Sequence, residues 1–333
     1  MNCIPAGRCA NTGLVLCTLL TLVVSCPSAQ TMWKPERNVE IMVPSAPGGG
    51  FDRTGRTMQR VMQQYKLLDV SSSIVNKAGG GGAVGWAYLS QFAGDAHHIG
   101  ICSSTLLTNQ ITGGNPLTYK DFTLIANLFN EYFAFAVRPD SPIKTGKDLL
   151  DRLTTAPGSL AIGTANAPGG PDHIGVALVV KGARADFRRQ KIVFFKNGSD
   201  VLTAILGGHV DVMASSPGNL VPALEAKQVR VIAVAAPHRQ SGAFATVPTW
   251  KEFGVEGIFS NWRCILGPRG LSAAKTAYWE DALARVVASD DWKAEVEHNV
   301  WESNFLKSEA TRKFFESQYA VAQRVLSELG LIK

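Results

Sequence analysis

Two stretches of the chain end an apolar run in small residues just where a helical pattern begins. In each, the exposed backbone N–H groups could hold an anion. Val39–Ser45 runs into Ala46, Pro47, Gly48, Gly49 and Gly50, and Leu160–Thr164 runs into Ala165, Asn166, Ala167, Pro168, Gly169 and Gly170. A helix start without bulky side chains in front of it is a ready anion site, because its first amides lack intrahelical acceptors and carry the positive end of the helix dipole. Two such starts far apart in sequence point to one anion held between two α/β lobes.

The remaining reactive side chains form weaker patterns. Gly80-Gly81-Gly82-Ala83-Val84-Gly85 matches the dinucleotide fingerprint G-x-G-x-x-G. The acidic residue that should end the following strand is absent, since His98–Cys102 ends in Ser103 and Ser104. A tight turn lining the cleft through Gly80 and Gly82 is the expectation instead. Gly48-Gly49-Gly50 lacks the Gly-Lys-Ser/Thr ending of a P-loop; it reads as a loop bringing amides close to a ligand, with simple chain reversal as the alternative. Asp52 would repel a carboxylate and is assigned a capping role. His173 lies early in the next helix and fits a packed or capping residue as well as a ligand contact. Ser103, Ser104, Thr105, Thr164, Ser215 and Ser216 follow or end strands and could donate to a carboxylate. None sits in a Gly-x-Ser-x-Gly elbow, so no catalytic residue is assigned. Phe51 and Trp262 are placed near the cleft, with core packing as the alternative. No Cys/His spacing suggests a metal, and no cofactor is expected.

The elements that must position these groups follow from hydrophobic periodicity. Strands at Val39–Val43, Ser73–Val75 and His98–Cys102 alternate with helices after Gly50 and from Ala83 to Phe92, predicting a parallel sheet with crossover helices. Phe122–Arg138 reads as two strands, the second Tyr132–Val137. A second series follows, with helices at Lys147–Leu153, Pro171–Lys181, Ser199–Leu206 and Asn219–Ala226. Its strands are Leu160–Gly163, Lys191–Phe195, Val210–Ala214 and Val229–Ala235. Phe259–Leu266 is one more strand, and the remainder reads as helical, ending in an amphipathic stretch from Ser308 to Leu329. The expectation is a two-lobed α/β binding-protein fold. Residues 31–132 plus 262–333 form lobe 1, residues 133–261 form lobe 2, and the helical tail returns to lobe 1. Tyr132–Val137 and Phe259–Leu266 serve as the two crossings.

Length and composition agree with two domains: 333 residues, 46% hydrophobic and 18% charged. Residues 1–30 carry one charge, Arg8, ahead of an apolar run from Gly13 to Cys26, the pattern of a secretory signal. Val23-Val24-Ser25-Cys26 resembles a lipobox that would anchor Cys26 to lipid; cleavage near Ser28–Gln30, with release into the periplasm, is the expectation. Of six cysteines, Cys3, Cys9, Cys17 and Cys26 lie in or beside that segment. Cys102 and Cys264 each sit in an apolar strand and are expected as two buried free thiols, although the compartment permits a disulfide. The net charge of +6 is scattered without a long basic run, which helps attract an anion but does not support nucleic-acid binding.

Several of these stretches resemble one family. Val43–Asp52 resembles the first loop of Bug-type solute receptors, the extracytoplasmic binding proteins of tripartite tricarboxylate transporters. Asn76–Gly82 resembles their second glycine loop, and Leu206–Asp211 with Val221–Leu224, and Val247–Trp250, resemble further signatures. The resemblance runs from about Trp33 to the C-terminus. It implies a monomeric two-lobed periplasmic binding protein without catalysis. Such a protein closes on a small carboxylate, gripped by the first glycine loop and by Gly163–Gly170, and delivers it to a large and a small membrane subunit. Signalling to a sensor kinase, or an enzyme acting on a carboxylate, are the alternatives. Met213-Ala214-Ser215-Ser216 lacks the acidic residue that many relatives carry there, which leaves an amino-bearing ligand without that cation partner.

Overall fold

The computed structural model describes residues 33–165 and 168–332. The secretory segment, with Cys26, and Asn166 therefore lie outside the described residues. The chain opens with β1 (Val39–Val43), α1 (Gly50–Gln64), β2 (Ser72–Asn76), α2 (Ala83–Ser90), β3 (His98–Ser103), α3 (Ser104–Ile111) and β4 (Phe122–Asn130). It continues through β5 (Ala134–Val137), α4 (Gly146–Thr155), β6 (Ala161–Ala165), α5 (Pro171–Gly182), β7 (Lys191–Phe195), α6 (Gly198–Leu206), β8 (Val212–Ser215), α7 (Val221–Glu225) and β9 (Arg230–Val234). It closes with β10 (Arg263–Pro268), α8 (Ala273–Ala288), α9 (Asp290–His298), β11 (Glu302–Lys307) and α10 (Ser308–Glu328).

These strands form two sheets, one in the order β11-β4-β10-β3-β1-β2 and one in the order β7-β6-β8-β5-β9. The parallel members are β1 with β2 and β3, and β6 with β7 and β8; β10 joins the first sheet antiparallel to β3 and β4. β1 is a β-branched run stopped by Pro44, which has no N–H for the ladder. Helix α1 lays Met58, Val61 and Met62 on the same core as Ile41 and Val43. Helix α5 starts with Pro171 at its first position, where the missing N–H costs nothing.

The chain leaves the first sheet after Asn130 and enters the second at Ala134; it returns at Arg263. The crossings are shorter than the expected strands. Only Tyr132 and Ser260 pair across them, as an isolated antiparallel bridge. Four other differences from the sequence reading are physical. The stretch Ser104–Ile111 is a helix, because Ser103 caps it by accepting a hydrogen bond from Thr105 N–H. The tail contains a strand, β11, whose half-buried residues lack a helical stripe and pair with β4. Helix α10 does not cover the first lobe alone. Phe315 packs with Tyr119 and Trp262, whereas Ala322, Val325 and Leu326 share a core with Phe133, Ile174 and Val179 of the second. An ion pair between Lys181 and Glu328 adds to that second contact.

The fourth difference concerns the cysteines. Cys102 and Cys264 are direct partners in the β3–β10 register, with Cα atoms 5.0 Å apart, and form a disulfide rather than two free thiols. Each strand had been read alone, and nothing in either sequence run revealed that they are neighbours. Facing positions on adjacent strands bring the Cβ atoms within bridging distance.

Candidate functional site

A cleft of about 580 Å³ opens where the carboxyl ends of β1, β2 and β7 converge. Its first wall is Pro44–Pro47, Gly49, Phe51 and Ala78–Gly82; its second is Phe194, Phe195, Lys196 and Asn197. β2 and β7 are the edge strands of their sheets, so the cleft runs between the two lobes. Crevices beyond the carboxyl ends of parallel strands are where α/β sheets receive ligands. A larger groove of about 720 Å³, lined by Tyr119, Leu271, Glu280 and Arg312 among others, lies on the first lobe alone. It has no glycine loop, and the two helix starts on it are already served, α8 by the Ser272 cap and α10 by Ser308 N–H donating to Glu280 Oε1 (2.8 Å), so we place the site in the cleft.

The first wall is built by Asp52. Its carboxylate accepts from Gly48 N–H (2.9 Å), Arg56 Nε (2.8 Å) and Asn76 Nδ2 (2.9 Å). Burial alone would raise its pKa, but the hydrogen bonds from Arg56, Gly48 and Asn76 together hold it below the usual value. Asp52 thus fixes the loop from within, although it does not cap the helix: its bond goes to Gly48 N–H, ahead of the N-cap Gly49. Gly48 adopts φ +88°, which favours glycine; Gly49 follows in extended geometry, and no side chain caps α1. The amides at the head of α1 consequently face out of the helix end beside the cleft.

The second glycine loop contributes shape. Gly79, Gly80, Gly81 and Gly82 all have positive φ, and a Cβ on Gly82 would sit 2.7 Å from the Trp86 ring. Asn109 Nδ2 ties the turn to α3 through Gly80 O (2.9 Å) and Gly81 O (3.1 Å). This is a tight turn lining the cleft, as Gly80 and Gly82 were read.

A model of the family "Tripartite tricarboxylate transporter family receptor", TctC, matches residues 56–331. The chain belongs to this receptor family. Protein BugT of Bordetella pertussis is 25% identical over 244 residues, covering 71% of the chain and 72% of BugT. The structure of MatC from Rhodopseudomonas palustris with bound malate has a TM-score of 0.77 at 23% identity, covering 88% of this chain and 99% of MatC. A second R. palustris protein, solved with adipate, has a TM-score of 0.80 at 22% identity, covering 89% and 98%. The receptor therefore has the two-lobed fold of the periplasmic solute-binding proteins of this family.

The receptor's second helix start differs from the first. Ala165 N–H donates to Asp172 Oδ2 (3.3 Å) and Gly169 N–H to His173 Nδ1 (2.9 Å). Burial pushes the Asp172 carboxyl up to about 7, with Glu131 adding to the rise and Arg263 opposing it; burial takes His173 down to about 4. Gly169, at φ +82°, packs so closely on Thr112 that a Cβ would lie 2.8 Å from its Cγ2. Gly170 is the N-cap of α5 without a side-chain hydrogen bond.

The hydroxyls expected at the site are largely engaged elsewhere. Ser103 donates to Thr105 Oγ1 (3.0 Å) and Ser104 to Asn261 Oδ1 (3.0 Å), while Ser215 accepts from Asn219 Nδ2 (3.1 Å). Ser216 starts a short 3₁₀ turn. Thr164 Oγ1 is buried with no partner among the described residues. Of the expected residues, the structure brings Pro47, Gly49, Phe51, Gly80 and Gly82 onto the cleft wall, with Gly48 and Gly50 flanking Gly49. Trp262 is fully buried and packs on Phe315.

Two groups escaped the sequence reading. One is Phe194–Asn197, which repeats the phrase of a strand ending at a capped helix: Asn197 caps α6 through Asp200 N–H (3.0 Å). That repetition was the available signal. The other is a buried charged cluster at the crossings. Arg263 Nη2 donates to Glu131 Oε2 (3.0 Å) and Nη1 to Asn261 O (3.0 Å), while Trp301 Nε1 reaches Glu131 Oε1 (3.3 Å). The guanidinium lies 4.9 Å from the Phe51 ring centre and thereby supports the cleft wall. Nothing in the spacing of these residues announces their meeting, since Glu131 and Arg263 are 132 positions apart.

Proposed function

We propose that the protein is an extracytoplasmic receptor that captures a small organic carboxylate between its lobes. It closes on the ligand and delivers it, chemically unchanged, to the large and small membrane subunits of a tripartite tricarboxylate transporter. The observation that carries this reading is the uncapped start of α1 behind Gly48 and Gly49, opening on a cleft whose far wall belongs to the other sheet. Such a start favours an anion, and an anion touching both walls favours the closed arrangement by its differential affinity. Membership of a solute-receptor family, and the malate and adipate held by two proteins of similar fold, support the ligand class. The cleft lining shows no nucleophile with a base beside it, since the Ser45 hydroxyl donates to Ala46 O. The secretory pattern of residues 1–30 supports a periplasmic location.

Calorimetry with a bound acid and its primary amide tests the anion requirement, with the amide expected to bind far more weakly. Small-angle scattering tests closure: the radius of gyration should shrink at saturating ligand. Equal affinity for acid and amide, or an unchanged radius, would count against the reading.

A further inference from the structure

The two walls of the cleft suit a particular kind of acid. Pro44, Ala46, Pro47, Phe51 and Ala78 form much of one wall, and Phe194 and Phe195 begin the other. The three phenyl rings are only partly buried, while Phe129, Phe133, Phe135, Phe244 and Phe315 elsewhere are buried completely. A ring left half in water on a concave wall gains from an occupant that covers it. Two of the rings are also held in place from the protein side. Arg263 stacks on Phe51, and the His173 ring meets Phe194 edge-on with centroids 5.1 Å apart.

Charge is sparse by contrast. Lys196, exposed at the rim, is the sole charged side chain among the described residues that line the cleft. The start of α1 can serve one carboxylate. Away from the α1 start and the Gly79–Gly82 turn, a second carboxylate would lose its hydration against apolar walls, with no cation on the lining besides Lys196. At the second helix start, the Ala165 and Gly169 amides already donate to Asp172 and His173.

We propose that the cleft selects an aromatic monocarboxylate, with its carboxylate at the α1 start near Lys196 and its ring between Phe51 on one wall and Phe194 and Phe195 on the other. The proposal rests on the carboxylate reading above and names the class of acid. Aromatic groups meet with ring centres about 4.5–7 Å apart, offset or edge-to-face, which gives the walls geometric as well as apolar selectivity.

The test is calorimetric titration of the purified protein with benzoate, phenylacetate and cinnamate, and in parallel with succinate, malate and adipate. At least one aryl acid should bind about tenfold or more tighter than every diacid. Phe194→Ala and Phe51→Leu should each weaken that aryl acid by about tenfold, while any weak adipate binding changes by less than about twofold. Lys196→Gln should weaken aryl and aliphatic acids alike. Parity between the two panels, a preference for a diacid, or an unaltered aryl affinity in both phenylalanine variants overturns the proposal. Benzamide separates the two readings: if it matches benzoate, the carboxylate requirement fails while the aromatic wall stands. Absence of binding by all six acids defeats both.

Discussion

The starts of α1 and α5 look alike in sequence, each an apolar strand running through Ala-Pro-Gly-Gly into a helix with an aspartate in its first turn, yet they do opposite things. At α1 the aspartate, Asp52, stays ionised because Arg56, Asn76 and Gly48 surround it, and it holds the loop back so that Gly49 faces the cleft. At α5 the aspartate is buried without a direct cationic partner among the described residues, and together with His173 it takes the amides of Ala165 and Gly169. Gly169 is then wedged against Thr112, just after α3, and Leu326 of α10. We read the first start as open to an anion and the second as a structural joint. Position in a motif did not decide this. What decided it was whether a neighbouring element supplied a cation and left room in front of the helix.

The comparison is most severely tested at the glycines. Gly49 has ordinary φ, and a Cβ there would meet nothing closer than 3.9 Å, so Gly49→Val should fold normally while its side chain enters the cleft. We expect affinity to fall by about 100-fold or more, with an unchanged urea midpoint. Normal binding by this variant would remove the α1 start from the site. Gly169→Ala should behave inversely. Its positive φ and the contact with Thr112 should cost about 1–3 kcal/mol of stability in urea unfolding, while affinity moves little beyond that. A large loss of affinity with intact stability would show that α5 is also a binding surface.

Protonation offers a subtler probe. The raised Asp172 pKa means that the folded state holds a proton the unfolded chain has released between pH 4 and 7. Its stabilisation is complete below the unfolded value of 3.8 and disappears as pH rises through about 7. His173 runs the other way. Its stabilisation is complete above 6.5 and disappears as pH falls through about 4. The two effects oppose each other across most of the same range. Asp172→Asn removes only the first, so the variant should gain stability relative to the parent from about pH 4 to about 7 and level off above it, as read from paired urea midpoints. A constant difference would contradict the burial of an ionisable Asp172. The smallest effect belongs to Arg56→Gln. Arg56 is half-exposed and its pair with Asp52 spans one helical turn, so thermal unfolding should report only a small loss of stability. Affinity should fall by a few-fold as the glycine loop loosens.

Much of this architecture could be read from the chain because it is written locally. β1, β7 and α5 announce themselves through β-branched runs, Pro44 and Pro171, and Gly79–Gly82 through four glycines that only a left-handed turn requires. Contacts between distant segments were not legible. Nothing near Cys102 specifies Cys264, nothing near Glu131 specifies Arg263, and Phe194 reads as an ordinary strand residue until β7 is known to be an edge strand. Ser103 and Ser104 show the converse: hydroxyls at a strand end look available until the cap of α3 and Asn261 take them. The site was therefore legible where backbone geometry makes it, and hidden where the other lobe supplies the wall.

The order of strands in the first sheet has a consequence for the birth of the molecule. β1, β2 and β3 can pair as soon as they leave the ribosome, but among the described residues β4 has no strand neighbours except β10 and β11. Both lie beyond the entire second sheet. Until Arg263 and its successors emerge, the apolar run from Phe122 to Asn130 has no strand to rest on. Pairings that span so much chain are slow to form, and uncovered strand edges attract one another. The Cys102–Cys264 bridge cannot close before that late strand arrives, 162 residues after its first half. Until roughly its final fifth is made, the chain therefore lacks both the strands that β4 pairs with and the partner of Cys102.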